Sequence, residues 1–196
     1  MDDREFFNNL AEKWDSMCSH PKEKIEYILS KVDLKEGDRI LDIGSGTGVL
    51  IPYLENKISN SGNIAALDIA ENMLKVSKEK NKYSNLEFIV GDFLEYESKK
   101  TFNCITAYSC YPHFKYKDRL ADRAYDLLEE DGKLVIAHSE SKEKINSRHK
   151  DVDHKIKSHI LPNIKYTAEL MEKHNFKTIY VEDNEEFYIY IGEKYK

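Results

Sequence analysis

The sequence predicts an α/β domain: a doubly wound, mostly parallel sheet completed by a C-terminal antiparallel hairpin. Three observations carry that expectation. Short apolar runs of strand length alternate with longer segments whose apolar residues recur at helical spacing. The stretch Arg39-Ile-Leu-Asp-Ile-Gly-Ser-Gly-Thr-Gly-Val49 joins one such strand to one such helix through alternating glycines. Two strand-like runs about a tight turn close the chain.

At 196 residues the chain is long enough for one domain with a substantial core, and nothing marks a linker, so residues 1–196 read as a single unit. Thirty basic against thirty-six acidic residues give a net charge of −6, which argues against a nucleic-acid surface built from clustered Lys and Arg. Small-molecule substrates fit that balance better. Cys18, Cys104 and Cys110 form an odd, unpaired set, and the charged N-terminus has no apolar signal core, so a reducing cytoplasm is expected. No apolar run approaches the roughly 20 residues that cross a bilayer, so no membrane partner is expected. The oligomeric state is not readable from the sequence.

Residues 1–36 read as a helical cap. Phe6, Phe7, Leu10, Ala11 and Trp14 stand at helical spacing over 4–17, and Ile25, Ile28, Leu29 and Val32 repeat the pattern after Pro21, which suits a helix start. Gly37-Asp38 turns the chain into the first strand, about 39–43. The run Gly44, Gly46, Gly48 cannot continue a buried strand. It reads as a tight turn into a helix that admits Pro52 in its first turn and ends near Asn56 or Lys57. Strands follow at 64–69, 86–90, about 104–109 and 134–138, with helices opening at Glu71 and covering 118–129, the latter ended by Gly132. Residues 139–163 read as a polar insertion ended by Pro162 and Asn163. A short helix over 167–174 and strands at 178–181 and 187–191, turning at Asp183-Asn184, finish the chain.

A glycine loop that opens a helix lets backbone approach a ligand and offers it free N–H groups. The dinucleotide fingerprint would want a small residue where Val49 stands, and Asp42, two residues before Gly44, would repel a pyrophosphate. A carboxylate there suits an ammonium group or hydroxyls. Asp68 lies 24 residues past Gly44, close to the separation of about 20 at which nucleotide-binding units place an acid on ribose hydroxyls. Met73, just beyond the same strand tip, suits either an adenine face or the core. Tyr108-Ser-Cys-Tyr-Pro-His-Phe114 gathers polar and aromatic groups in a loop at the carboxyl edge of the sheet, where open α/β sheets bind ligands.

Leu41 to Leu50 resembles the first motif of the class I S-adenosylmethionine-dependent methyltransferases, and the resemblance, which covers most of the chain, is closest to the small-molecule branch that includes the ubiquinone and menaquinone methyltransferases. It implies a Rossmann-like, seven-stranded sheet and S-adenosylmethionine as cofactor. The implied cofactor neighbours are Asp42, Gly44, Ser45, Gly46 and Gly48 of the loop, Asp68 and Ile69, Met73, and Tyr108. The family places an acid on the adenine amine where Asp92 stands, with Phe93 offering its backbone N–H. The segment around Trp14 and Asp15 resembles an element that folds over the cofactor. His113 matches a position where many relatives carry histidine, and His113 and His138 are the candidate bases for an acceptor that must lose a proton. Asn103 stands where relatives more often have Asp.

His149, His154 and His159 follow His138 in the insertion. Their five-residue steps, about 140° apart, would not gather them on one face of a continuous helix, though a bent helix or loop would, and no spacing matches a zinc motif, so a solvated insertion over the active site is expected in preference to a metal. The leading expectation is methyl transfer from S-adenosylmethionine to a small molecule. The alternatives are an NAD(P)-dependent oxidoreductase, or a non-enzymatic protein that binds a cofactor or a metal.

Overall fold

The computed structural model describes residues 2–152 and 160–195, with the side chains of 149–152 left aside. The N-terminal cap is broken into α1 (Asp3–Leu10), a 3-10 turn (Ala11–Lys13) and α2 (Trp14–Met17), followed by α3 (Lys22–Ser30). Then come β1 (Arg39–Ile43), α4 (Ile51–Ile58), β2 (Asn63–Asp68), α5 (Glu71–Lys80), β3 (Leu86–Val90), β4 (Phe102–Tyr108), α6 (Lys117–Leu127) and β5 (Leu128–His138). The chain finishes with α7 (Lys142–Val152), α8 (Ile164–Lys173), β6 (Phe176–Asp183) and β7 (Tyr188–Lys194). No helix among the described residues is long and apolar enough to cross a membrane.

The seven strands form one sheet in the order β3-β2-β1-β4-β5-β7-β6, parallel except for β7, which runs antiparallel to both neighbours. Alternation along β1 sorts the core into two layers. Leu41 and Ile43 face the side covered by α6 and α8, while Ile40 faces α3 and α4. Every one of these side chains is fully buried, as both faces of a covered sheet require. Strand order reverses between β1 and β4, and a doubly wound sheet leaves a crevice beyond the strand tips at that switch point.

Three boundaries depart from the sequence reading. α6 stops at Leu127, and Gly132 does not cap it: β5 already pairs Leu128 with Phe102, then slips so that Lys133 faces Cys104, with Asp131 at φ 60°. The slip is pinned by Glu129, which accepts from Arg39, from Thr101 Oγ1 at 3.0 Å and from Asn103 Nδ2 at 2.8 Å. Asn103 also accepts from the Arg39 N–H at 2.8 Å, so its amide both accepts and donates, which an aspartate could not do beside Glu129. α8 begins at Ile164 because the Asn163 side chain caps it, accepting from the Lys165 N–H at 2.9 Å. The closing strands are longer than the apolar runs alone suggest, because pairing, unlike periodicity, extends to Phe176 and Lys194.

α8 is fixed to β7 by a buried hydroxyl pair, Thr167 Oγ1 and Tyr188 Oη at 2.6 Å. Thr167→Val keeps the shape and removes the partner, so it should destabilise the fold by about 1–3 kcal/mol, read as a lower urea midpoint at unchanged m-value. Wild-type stability in that variant would show that the pair contributes nothing net.

Candidate active site

The glycine loop leaves β1 with Gly44, Gly46 and Gly48 all in the left-handed region, at φ 61°, 53° and 80°. Their surroundings differ. A Cβ on Gly48 would collide with Ser77 Oγ of α5, and one on Gly44 would lie 2.7 Å from the Cys110 Cβ, so packing excludes a side chain at both positions while their backbone stays in the loop. A Cβ on Gly46 would meet nothing within 4 Å. The loop is tied to β2 where the Ser45 N–H donates to Leu67 O at 3.1 Å, yet Ser45 Oγ is buried with no hydrogen-bond partner among the described residues. An open cradle above Gly46 and an orphaned hydroxyl beside it fit a polar ligand.

Two carboxylates stand beneath this loop. Asp42, 2 % exposed, is next to Thr106 in the β1–β4 register and accepts from its hydroxyl at 2.6 Å. Burial, aided by the nearby Asp68 charge, pushes its carboxyl up to about 7 against the lowering effect of Thr106. Asp68 at the tip of β2 accepts from the Gly46 N–H and the Ala70 N–H, both at 2.8 Å. Burial raises its pKa too, although the two N–H groups pull the other way. Neither acid has a salt-bridge partner among the described residues.

The cap folds onto these tips. Asp15 accepts from Thr47 Oγ1 of the loop and pairs with Lys80 of α5, both at 2.5 Å. Asn8 accepts from the Asn72 N–H at 2.8 Å, and its carbonyl from Asn72 Nδ2 at 3.2 Å. Between these tethers Ala11 packs with Ala70 and Met73, flanked by Phe7 and Trp14. Phe7 meets Trp14 and His113 edge to face, with ring centroids 5.3 and 5.0 Å away. Phe7 thus bridges Trp14 and His113, far apart in sequence, beside the cluster that holds Met73.

The remaining expected residues are placed as follows. Ile69 is exposed at the β2 tip. Asp92 caps the turn Phe93–Glu95, accepting from the Leu94 N–H at 2.9 Å, while the Phe93 ring is buried and meets Phe114 edge-on. Tyr108 is buried at the end of β4, where its hydroxyl donates to Ser139 Oγ at 2.9 Å and lies 3.0 Å from His20 Nδ1. His138, expected to border an open pocket, is instead 4 % exposed with its ring edge-on to Tyr188, because strand alternation turns it into the sheet's covered face. The side chains of His149, His154 and His159 lie outside the described residues. His20 carried no motif in the sequence. Only the contact with Tyr108, 88 residues away, draws attention to it.

Residues 34–184 match the family described as "Methyltransferase domain". Among curated proteins, the chain is 34 % identical over 106 residues to a malonyl-[acyl-carrier protein] O-methyltransferase of Ilyobacter polytropus, covering 54 % of this chain and 40 % of that one. It is 27 % identical over 141 residues to the ubiquinone/menaquinone biosynthesis C-methyltransferase of Blochmanniella floridana, covering 66 % and 55 %. The chain thus spans about half the length of these relatives or less. Its fold is shared with an Aquifex aeolicus SAM-dependent methyltransferase, at a TM-score of 0.76 and 17 % identity over 94 % of this chain and 98 % of that one. It is also shared with the methyltransferase in a complex with the Haloferax volcanii Trm112 activator, at 0.81 and 15 % over 100 % and 99 %.

The raised Asp42 pKa fixes a sign. Between the unfolded value near 3.8 and the folded value of about 7, the folded state holds a proton that the unfolded chain has lost, so stability falls as pH rises through that window. Asp42→Asn should match wild type near pH 4 and exceed it at pH 8, by up to about 4 kcal/mol as a ceiling, in urea unfolding at both pH values. A difference that does not change with pH would contradict the assignment.

Proposed function

Because the chain belongs to the methyltransferase-domain family, we propose that it transfers a methyl group from S-adenosylmethionine to a small-molecule acceptor. One observation carries this reading: two buried acids with no cation beside them among the described residues stand under an open glycine loop at the switch point of the sheet. The ligand that satisfies them bears an ammonium group and vicinal hydroxyls and no phosphate, which is the chemistry of S-adenosylmethionine. Asp42 takes the ammonium end, and Asp68, while holding the Gly46 N–H, accepts from the ribose hydroxyls with its remaining lone pairs. Ser45, Gly44, Gly46 and Gly48 line the amino-acid end; Ile69, Met73, Asp92 and Phe93 border the base.

When bound, the cofactor supplies an already electrophilic methyl group, so the protein's contribution is alignment and exclusion of water, worth up to about 7–11 kcal/mol in ideal geometry. The cap does the excluding, with Asp15 tethering it to Thr47 and Trp14 and Phe7 forming its apolar underside. His113 stands on the acceptor side. Free Cys18, Cys104 and Cys110 support a reducing, cytoplasmic setting.

S-adenosylhomocysteine should bind in calorimetry, and NAD should not. Asp68→Ala should weaken that binding by about 1.5–3 kcal/mol, roughly 10- to 150-fold. Unchanged affinity in the variant would remove Asp68 from the ribose, and tighter binding of NAD would overturn the reading altogether.

A further inference from the structure

We infer that His20 takes the proton from a hydroxyl-bearing acceptor, with Tyr108 and Ser139 as its positioning residues; this rests on the methyltransferase reading above. From α2, where Asp15 holds Thr47 of the glycine loop, the chain runs along the carboxyl edge of the sheet to the tip of β4, where His20 meets Tyr108. His20 is half-buried there, its ring tilted at 5.3 Å from the Tyr108 ring.

The hydrogen bonds fix which ring nitrogen is basic. Burial pushes the Tyr108 hydroxyl up to about 12, so it stays protonated, and it donates to Ser139 Oγ at 2.9 Å. Its oxygen is then the acceptor for His20 Nδ1–H at 3.0 Å, which leaves the lone pair on Nε2. Nε2 has no hydrogen-bond partner among the described residues. Burial lowers the imidazole pKa. Glu140 and Asp15 favour the charged ring, Arg148 and Lys80 oppose it, and the ring is neutral at neutral pH.

A neutral imidazole serves an acceptor that must lose a proton as it is methylated, which a neutral O–H has to give and a carboxylate lacks. The Tyr108 ring, 5.3 Å from the His20 ring, puts an aromatic surface beside the base and favours a phenol. As the oxygen forms its bond to the methyl carbon, the carbon–sulfur bond breaks with its pair on sulfur. The O–H proton passes to His20 Nε2 and then to water, so charge and atoms balance.

The test uses phenol and catechol as acceptors with radiolabelled S-adenosylmethionine, after S-adenosylhomocysteine binding has been measured in each variant. Wild type should methylate the probe at a rate that rises to an inflection below pH 6.5 and is flat above it. His20→Gln should keep S-adenosylhomocysteine affinity within about threefold, lose about 100-fold or more in rate, and lose the inflection. Tyr108→Phe should keep an inflection but move it, with a smaller loss of rate. An unchanged rate or pH profile in His20→Gln, or no transfer to either probe by a wild type that binds S-adenosylhomocysteine, overturns the assignment. Failure to bind S-adenosylhomocysteine would instead overturn the methyltransferase reading, and this inference with it.

Discussion

Burying a carboxylate without a cation is among the more costly arrangements a fold can adopt, and this one does it twice, at adjoining strand tips. Asp42 and Asp68 are 2 % and 7 % exposed, and among the described residues each is held by neutral donors alone: a threonine hydroxyl for one, two backbone N–H groups for the other. The surrounding structure follows from that constraint. Gly46 must be left-handed so that its N–H reaches Asp68, and β4 must supply Thr106 opposite Asp42. The cap must cover the tips while leaving the space above Gly46 free. A ligand that brings a positive charge and hydroxyls relieves the cost, so affinity and the local instability of the free protein are two sides of one arrangement.

The cap ties that site to the other loops of the carboxyl edge. Its tethers reach the glycine loop through Asp15, α5 through Asn8, and the β4 loop through the contact of Phe7 with His113. Few of these contacts bury apolar area on the scale of the sheet, and α1 and α2 have no fully buried residue. An element held by a handful of polar and edge-to-face contacts can open at modest cost, as entry and exit of a cofactor require.

Much of this was legible in the sequence because it is local. The glycines, Asp42 and Asp68 sit at strand ends whose apolar runs are unambiguous, and the aromatic spacing of 4–17 marks a cap. What could not be read depends on contacts between distant segments. The slip in β5 is held by Glu129 reaching Arg39 and Asn103. The inward turn of His138 follows from its pairing with Tyr188. His20 gains its place only when the β4 tip comes beneath it. Asn103 makes sense as an amide once Glu129 is seen to need a donor.

The central claim, that Asp42 lies buried and partly protonated in wait for a cation, is tested most directly by proton release on binding. S-adenosylhomocysteine and 5′-methylthioadenosine, which lacks the amino-acid end, would be titrated by calorimetry at pH 7 in buffers of different ionisation enthalpy. The account predicts that S-adenosylhomocysteine drives a proton off the protein, so that its heat depends on the buffer, and that 5′-methylthioadenosine does not. Heats for S-adenosylhomocysteine that are the same in every buffer would contradict it.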